Sequence, residues 1–420
     1  MASIGTKARR ARGTAALTAA LLLAPLAANA QLADSVWPVF QQNLSHTGQS
    51  PLDGPTSPNV KWIFHGQQVL RSAPSVGVDG TLFLGNGKAP YCAVNAGDGT
   101  LRWCATQKRG GDAAQSQPAV SADGFMYAGA RDNDLWAIHQ AQQPTQDQQV
   151  AWRFHVPTDG DVTAPPIIGP DGIIYFASNS IGAGSVYAFS PSDATHPSGT
   201  QKWLNKLGSG VHNSSPTLSL DGSTLYVSTI DSTVHGLDVA DGHERWSIRV
   251  HPGTNGFRQS NFTVVQGTDR RLYVGARDGL HAIDPNADET AASEAWHFQT
   301  IGRVESSPAL AKDGTLYVGS SQPRDQSNLF YAIGHDGTQK WAVQLTPVGK
   351  FQNCEAAIGA NGTIYVGVGD TVYALSPSDG SQLWSYAIPG TRILAPPVIG
   401  APGVLYVPTL GFDLYAFATP

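Results

Sequence analysis

The chain has 420 residues, a formal net charge of −6, 46 glycines, 28 prolines and three cysteines. That acidic balance lacks the phosphate-neutralising Lys and Arg of a nucleic-acid binder, and it disfavours docking to anionic lipid. Val, Thr, Tyr and the many Gly and Pro favour strands and tight turns, and no amphipathic helical stretch of convincing length is present.

Residues 1–30 read as an export signal. Lys7, Arg9, Arg10 and Arg12 form a basic start, Gly13 to Ala27 is an apolar run, and Ala28-Asn29-Ala30 fits a signal-peptidase site. The run is short for a membrane span. The hydrophobic residues that follow a twin-Arg pair are missing at Ala11-Arg12-Gly13, so general secretion to a bacterial periplasm or medium is expected. No Cys follows the cleavage site, which argues against a lipid anchor. Cleavage removes four basic residues and no acidic ones, taking the net charge from −6 to −10, which favours solubility.

Residues 31–58 form an extended lead-in with Trp37-Pro-Val-Phe40 near its start and a Pro/Gly/Ser-rich end. From residue 59 to 420 one phrase repeats. Trp recurs at 62, 103, 152, 203, 246, 296, 341 and 384, a strand-rich period typical of propeller blades. Each interval parses into four short strands. The first follows a small-polar-Pro signal such as Ser72-Ala-Pro74 or Ser306-Ser-Pro308. An Asp-Gly hairpin turn comes next (Asp79-Gly80, Asp313-Gly314). A Leu-Tyr-Val-Gly strand and a Tyr-Ala-Leu strand follow, and then the Trp strand. The small third-strand residue (Ala93, Ala137, Ala188, Gly236, Ala282, Ala332, Ala374, Ala416) leaves room for a ring, so the eight Trp residues are expected in the packing between sheets.

After Trp384 three strands remain (395–399, 404–407, 414–417) with no Trp, while the strand 60–65 carrying Trp62 lacks three predecessors. Joined, they complete a ring and remove its open edges. The sequence therefore predicts an all-β, eight-bladed β-propeller of four-stranded antiparallel blades.

The Asp-Gly-x-x-x-Trp phrase after a Tyr-Ala-Leu strand resembles the repeat of the pyrroloquinoline-quinone-type (PQQ-like) propellers. The opening Trp37-Pro-Val-Phe40 and His46-Thr-Gly48 resemble the lead-in of stand-alone secreted members. The resemblance covers residues 37–420 and implies a superfamily that holds both quinoprotein alcohol dehydrogenases and non-catalytic scaffolds. In size the chain resembles the propeller subunit of the outer-membrane β-barrel assembly machinery. The dehydrogenases imply a PQQ cofactor with calcium, but their ring of adjacent cysteines has no counterpart here. Their calcium-binding Glu and Asn and catalytic Asp match no motif, and no Cys-x-x-Cys-His haem site is present.

Up-and-down blades sort their loops by face. One face holds the Asp-Gly turns. The other holds the second-to-third loops and blade connections, with Arg131-Asp132 and Arg277-Asp278 as expected rim pairs. Residues entering the innermost strands lie nearest the axis, so Arg71, Asn213, Arg258, Arg303, Glu305, Asn353, Glu355 and Arg392 are the candidate ligand-binding set. Glu355 stands out because Cys354-Glu355-Ala356 replaces Ser-Ser-Pro. A carboxylate there is costly without a partner, and an Arg neighbour is the expected one.

The histidines suggest no metal site: His155, His251 and His297 lie in or after Trp strands, and His235 and His281 hold third-strand aromatic positions, as packing residues would. Cys92 and Cys104 sit on two arms of one hairpin. A three- or five-residue loop sets them opposite each other as a disulfide; an even-numbered loop sets Cys92 opposite Trp103. Cys354 is left over. The reading is an exported monomeric binding or scaffold module with a protein or small-molecule ligand at the axial face. The alternatives are a PQQ-dependent oxidoreductase and, more weakly, a polysaccharide lyase or hydrolase.

Overall fold

In the computed structural model the described residues are 1–2, 31–66, 70–86, 89–105, 116–157, 160–180, 183–191, 196–250, 262–304, 306–322, 327–345 and 355–420. The expected export signal lies outside them. Eight antiparallel sheets follow one another along the chain, each running outward from an inner first strand to an outer Trp strand. Blade 6 carries one additional short strand, Arg303–Val304, beside Leu316–Gln322. Among the described residues no helix is long and apolar enough to cross a membrane.

The ring closes as the sequence predicts. Asn59–His65 pairs antiparallel with Asp413–Ala418 and becomes the outer strand of blade 8. Its Trp62 lies opposite Ala416, the register that the other blades repeat. Trp103 faces Ala93, Trp152 faces Ala137, Trp203 faces Ala188 and Trp246 faces Gly236. In blades 1 to 7 the pairing then slips at one position just after the small residue, as between Ala93 and Val94 or Ala374 and Leu375. This outer β-bulge adds one residue to the Trp strand.

The bulge decides the cysteine question. Val94 pairs with Leu101 across a six-residue loop, which by parity alone sets Cys92 against Trp103. The slipped register instead pairs Cys92 with Cys104, and the two form a disulfide with Cα atoms 4.0 Å apart.

Each Trp ties its blade to the next. The indole N–H of Trp62 donates to Ala96 O at 3.1 Å, Trp203 to Val239 O at 2.8 Å, Trp296 to His335 O at 2.9 Å and Trp341 to Pro377 O at 2.9 Å. These carbonyls belong to the third-to-fourth turn of the following blade. The glycine of that turn lies flat on the same indole. A Cβ on Gly99, Gly242 or Gly380 would come within 2.6, 2.4 or 2.7 Å of Trp62, Trp203 or Trp341.

Two glycines of blade 4 isolate this contact. Gly222 and Gly242 have φ of +73° and +77°, but a Cβ on Gly222 meets nothing within 4 Å. Backbone strain is therefore shared and the indole clash is not. Gly242→Ala is expected to lose about 1–3 kcal/mol more than Gly222→Ala in urea unfolding; equal losses would show that the turn does not rest on Trp203.

Candidate functional site

The inner strands are short and their axial edges lack a strand partner, so their backbone N–H groups need acceptors from elsewhere. The lead-in supplies them. Val76 N donates to Trp37 O at 2.9 Å, Val120 N to Pro38 O at 2.8 Å, and Leu218 N to Leu44 O at 3.2 Å. Gln266 N then donates to Ser45 O at 3.1 Å, Leu310 N to Thr47 O at 2.8 Å, and Ile358 N to Gly48 O at 2.8 Å. Residues 37–48 thus cross the axis and stop it from the Asp-Gly face, touching blades 1, 2, 4, 5, 6 and 7 in turn. The segment continues outward, where Pro55 O accepts the Trp384 indole N–H at 3.0 Å and so stands in for the missing turn at the ring closure.

The crossing is held by a tight reversal. Gln41, Gln42, His46 and Gly48 all have positive φ, and a side chain on Gly48 would come within 2.8 Å of Ala356 O. His46 is fully buried, with Nδ1 2.8 Å from Phe40 O and Nε2 2.8 Å from Pro216 O. Burial pushes its imidazole below the ordinary value, against the two carbonyls that pull it up. The His46-Thr-Gly48 motif is therefore a clamp on the axis.

On the other side of this stopper a cavity of about 120 Å³ opens toward the loop face. Phe40 contributes from the lead-in; Arg71, Gln117, Thr163, Asn213 and Glu355 contribute from the heads of the inner strands. Three of the predicted residues, Arg71, Asn213 and Glu355, are thus brought together. Arg71 and Asn213 are exposed at the rim, with Asn213 in the left-handed region at φ 60°. Arg303 sits apart in the extra strand of blade 6, and Arg392 is exposed outside the cavity lining. Arg258, Glu305 and Asn353 lie outside the described residues, as does Cys354.

Glu355 is 8% exposed and takes a place where other blades put Ala, Gln, Pro, Ser or Thr. Its partner is not the expected Arg. The Ser307 hydroxyl donates to its Oε1 at 3.1 Å, helped by the Ser307 backbone N–H. Ser307 Oγ in turn accepts from Thr263 N at 3.2 Å, and Thr263 Oγ1 accepts from Ser215 N at 3.0 Å. A chain of small hydroxyls so runs through blades 4, 5 and 6 to the carboxyl in blade 7. An Arg is unnecessary because burial pushes this carboxyl up to about 7, outweighing the Ser307 bonds that pull it down. Among the described residues, Gln117 Oε1 and Thr163 Oγ1 of the cavity lining, and Ser306 Oγ and Gln41 Oε1, are buried without a protein partner. Such atoms call for water or a polar ligand.

Other charged residues of this face are locally engaged. Asp132 accepts the Trp136 indole N–H at 3.2 Å, and Arg153 lies 3.7 Å over the Trp136 ring. Asp278, expected in a rim pair with Arg277, meets His281 and His297.

Fold and axis together define an eight-bladed propeller of the quinone-type repeat, stopped by its own N-terminal segment. The chain belongs to the PQQ-like repeat family whose model, described as outer membrane protein assembly factor BamB, matches residues 141–322 and 259–400. It is 27% identical over 190 residues to "Protein Rv3035" of Mycobacterium tuberculosis, a match that covers 44% of this chain and 42% of that relative. Among solved structures it resembles the quinohemoprotein alcohol dehydrogenase of Comamonas testosteroni, with a TM-score of 0.70 and 14% identity over 91% of this chain and 80% of that one. It also resembles BamB from Moraxella catarrhalis, with a TM-score of 0.58 and 16% identity over 86% and 97% of the two chains.

The axial recess does not fit the quinone with calcium. The cavity is well below the roughly 300–1,000 Å³ of a pocket for a ligand of that size. Calcium takes about six to eight oxygen ligands, and the described lining offers one carboxylate, Glu355.

Glu355 makes a signed prediction. With its pKa raised from 4.5 to about 7, the folded state holds a proton that the unfolded chain has already released between those values. The contribution favours folding fully below pH 4.5 and is lost as pH rises through 7. The stability of Glu355→Gln relative to the parent should therefore improve by about 3 kcal/mol between pH 4.5 and 8. A difference that stays flat across that range would remove the buried neutral acid.

Proposed function

We propose that the chain is an exported, monomeric binding module that uses its loop face at the axis to hold a protein segment or a small ligand. The observation that carries this reading is the axis itself: the lead-in fills one end, and what remains is a small polar recess. A neutral Glu355 donates a hydrogen bond, Arg71 adds positive charge at the rim, and Gln117 and Asn213 add amides. That set suits a carbonyl or carboxylate on the ligand, such as a peptide side chain or terminus. Membership in a family described by an assembly factor supports a binding role, while the likeness to alcohol dehydrogenases is one of fold alone.

The test pairs two measurements. Partners cross-linked to the purified chain in a periplasmic extract should be lost with an Arg71→Glu, Asn213→Asp double variant that unfolds at the parental midpoint. PQQ with calcium should neither bind nor support dye-linked alcohol oxidation. Stoichiometric quinone binding with turnover would replace this reading by the oxidoreductase one.

Export is supported by the Cys92–Cys104 disulfide, since such bonds persist in oxidising compartments. Thiol titration of unreduced protein under denaturing conditions should find one free cysteine, Cys354. Three free thiols would count against both the bridge and the compartment.

A further inference from the structure

The outer half of blade 5 holds a cluster that packing alone does not explain. His281, on the third strand Gly279–Pro285, pairs across the sheet with His297, on Ala292–Gln299. Their rings lie parallel with centroids 4.2 Å apart. Asp278, in the turn before the third strand, approaches both: its Oδ1 is 3.0 Å from His281 Nε2 and its Oδ2 is 3.6 Å from His297 Nε2. His281 is 1% exposed, and its other nitrogen, Nδ1, is 2.6 Å from Glu294 Oε1.

We infer that Asp278, His281 and His297 form a binding site for one divalent transition-metal ion of the zinc class. The argument rests on three points. A neutral imidazole has one N–H and cannot donate to both Asp278 and Glu294. With the proton on Nδ1, toward Glu294, Nε2 presents its lone pair on the side of Asp278, so that one cation can be bound by both. Next, a tetrahedral zinc ion with ordinary bond lengths spaces its ligand atoms by about 3.3 Å; one Asp278 oxygen lies 3.0 Å from His281 Nε2 and the other 3.6 Å from His297 Nε2, and one ligand atom from each of the three residues lies within 4.8 Å of the others. Finally, metal-bound histidines usually give their second N–H to a carboxylate, which is the place of Glu294.

Blade 4 supplies the comparison within the molecule. His235 occupies the same third-strand position and its Nδ1 meets Glu244 at 2.7 Å, but its cross-strand partner is Ser247 and its Nε2 faces Thr229 Oγ1 at 3.3 Å. That blade has the supporting carboxylate without the ligand set. Blade 5 adds the two missing ligands. Asp278 and His297 are 27% and 30% exposed at the side chain, so the ion has an entry path. Metal loading requires the more exposed His297 ring to tilt off the parallel stack; the fourth position then faces solvent and takes water. The site uses the outer strands of its blade and is independent of the axial recess.

The full chain, without a histidine tag, is stripped with chelator and titrated with zinc, followed by calorimetry and by metal content per chain. One zinc per chain is expected, with a Tm that climbs as zinc increases. His297→Gln and Asp278→Asn should lose that binding while unfolding in zinc-free buffer at the parental midpoint. Glu294→Gln should weaken it about 10–100-fold, and His235→Gln should bind as the parent does. Absence of stoichiometric binding overturns the assignment. So does zinc binding that survives both His297→Gln and Asp278→Asn, or binding that disappears only when Asp238, Asp241 and His243, the other such group of three among the described residues, are replaced.

Discussion

One contact recurs at Trp62, Trp203, Trp296 and Trp341: an indole laid on the glycine of the next blade's turn, with its N–H held by a carbonyl of that same turn. It asks for several things at once. The third strand must carry Ala or Gly opposite the Trp, because a larger side chain would fill the space that the ring occupies. The turn must carry Gly, both for its positive φ and for the approach of the indole face. The donor must also find its carbonyl, since a buried indole N–H without one costs about 1–3 kcal/mol. Ala, Asp-Gly and Trp recur together because each is one part of a single interblade joint. The ring can close only if the last joint is made by residues from the far end of the chain. Trp62 reaching Ala96 and Trp384 reaching Pro55 do this.

That dependence explains how much of the molecule is legible in the sequence. Blade number, strand order and closure follow from where Trp and its small partner recur, because those residues act locally and periodically. The cysteine pairing stayed open because parity counting assumes an unbroken ladder. The bulge shifts the register by one, and its signal was present in the rule that Trp faces Ala. The role of the lead-in was not legible at all. Its bonds join residues such as His46 and Pro216, or Gln49 and Gly359, which share no period and no motif. Of the candidate axial residues, Arg303 and Arg392 sit outside the recess. Arg71, Asn213 and Glu355 do converge, but Glu355 is partnered by a hydroxyl, because a carboxyl this buried can hold its proton and needs no cation.

The stopper changes what the fold can offer. In a propeller the axis is the natural place for a ligand, since eight inner strands bring their first residues there from eight separate segments. Here the lead-in spends that position on backbone hydrogen bonds to six blades, which satisfies the inner edges. The remaining recess is bounded by atoms that still lack partners.

Function in a repeat fold is to be sought where one copy departs from the others without loss of the joint. Glu355 is such a departure on the inner strand, and the pair His281 and His297 is another on the outer strands. Both replace packing residues with titratable ones at positions the Trp contact does not use. In blade 5, Trp296 still donates to His335 O and still lies opposite Ala282, while the next residue along, His297, is free to take a different role. The alternation of a strand makes this possible: the residue that holds the ring together points to one side, and its neighbour points to the other. The blade-to-blade joint therefore sets which positions can vary.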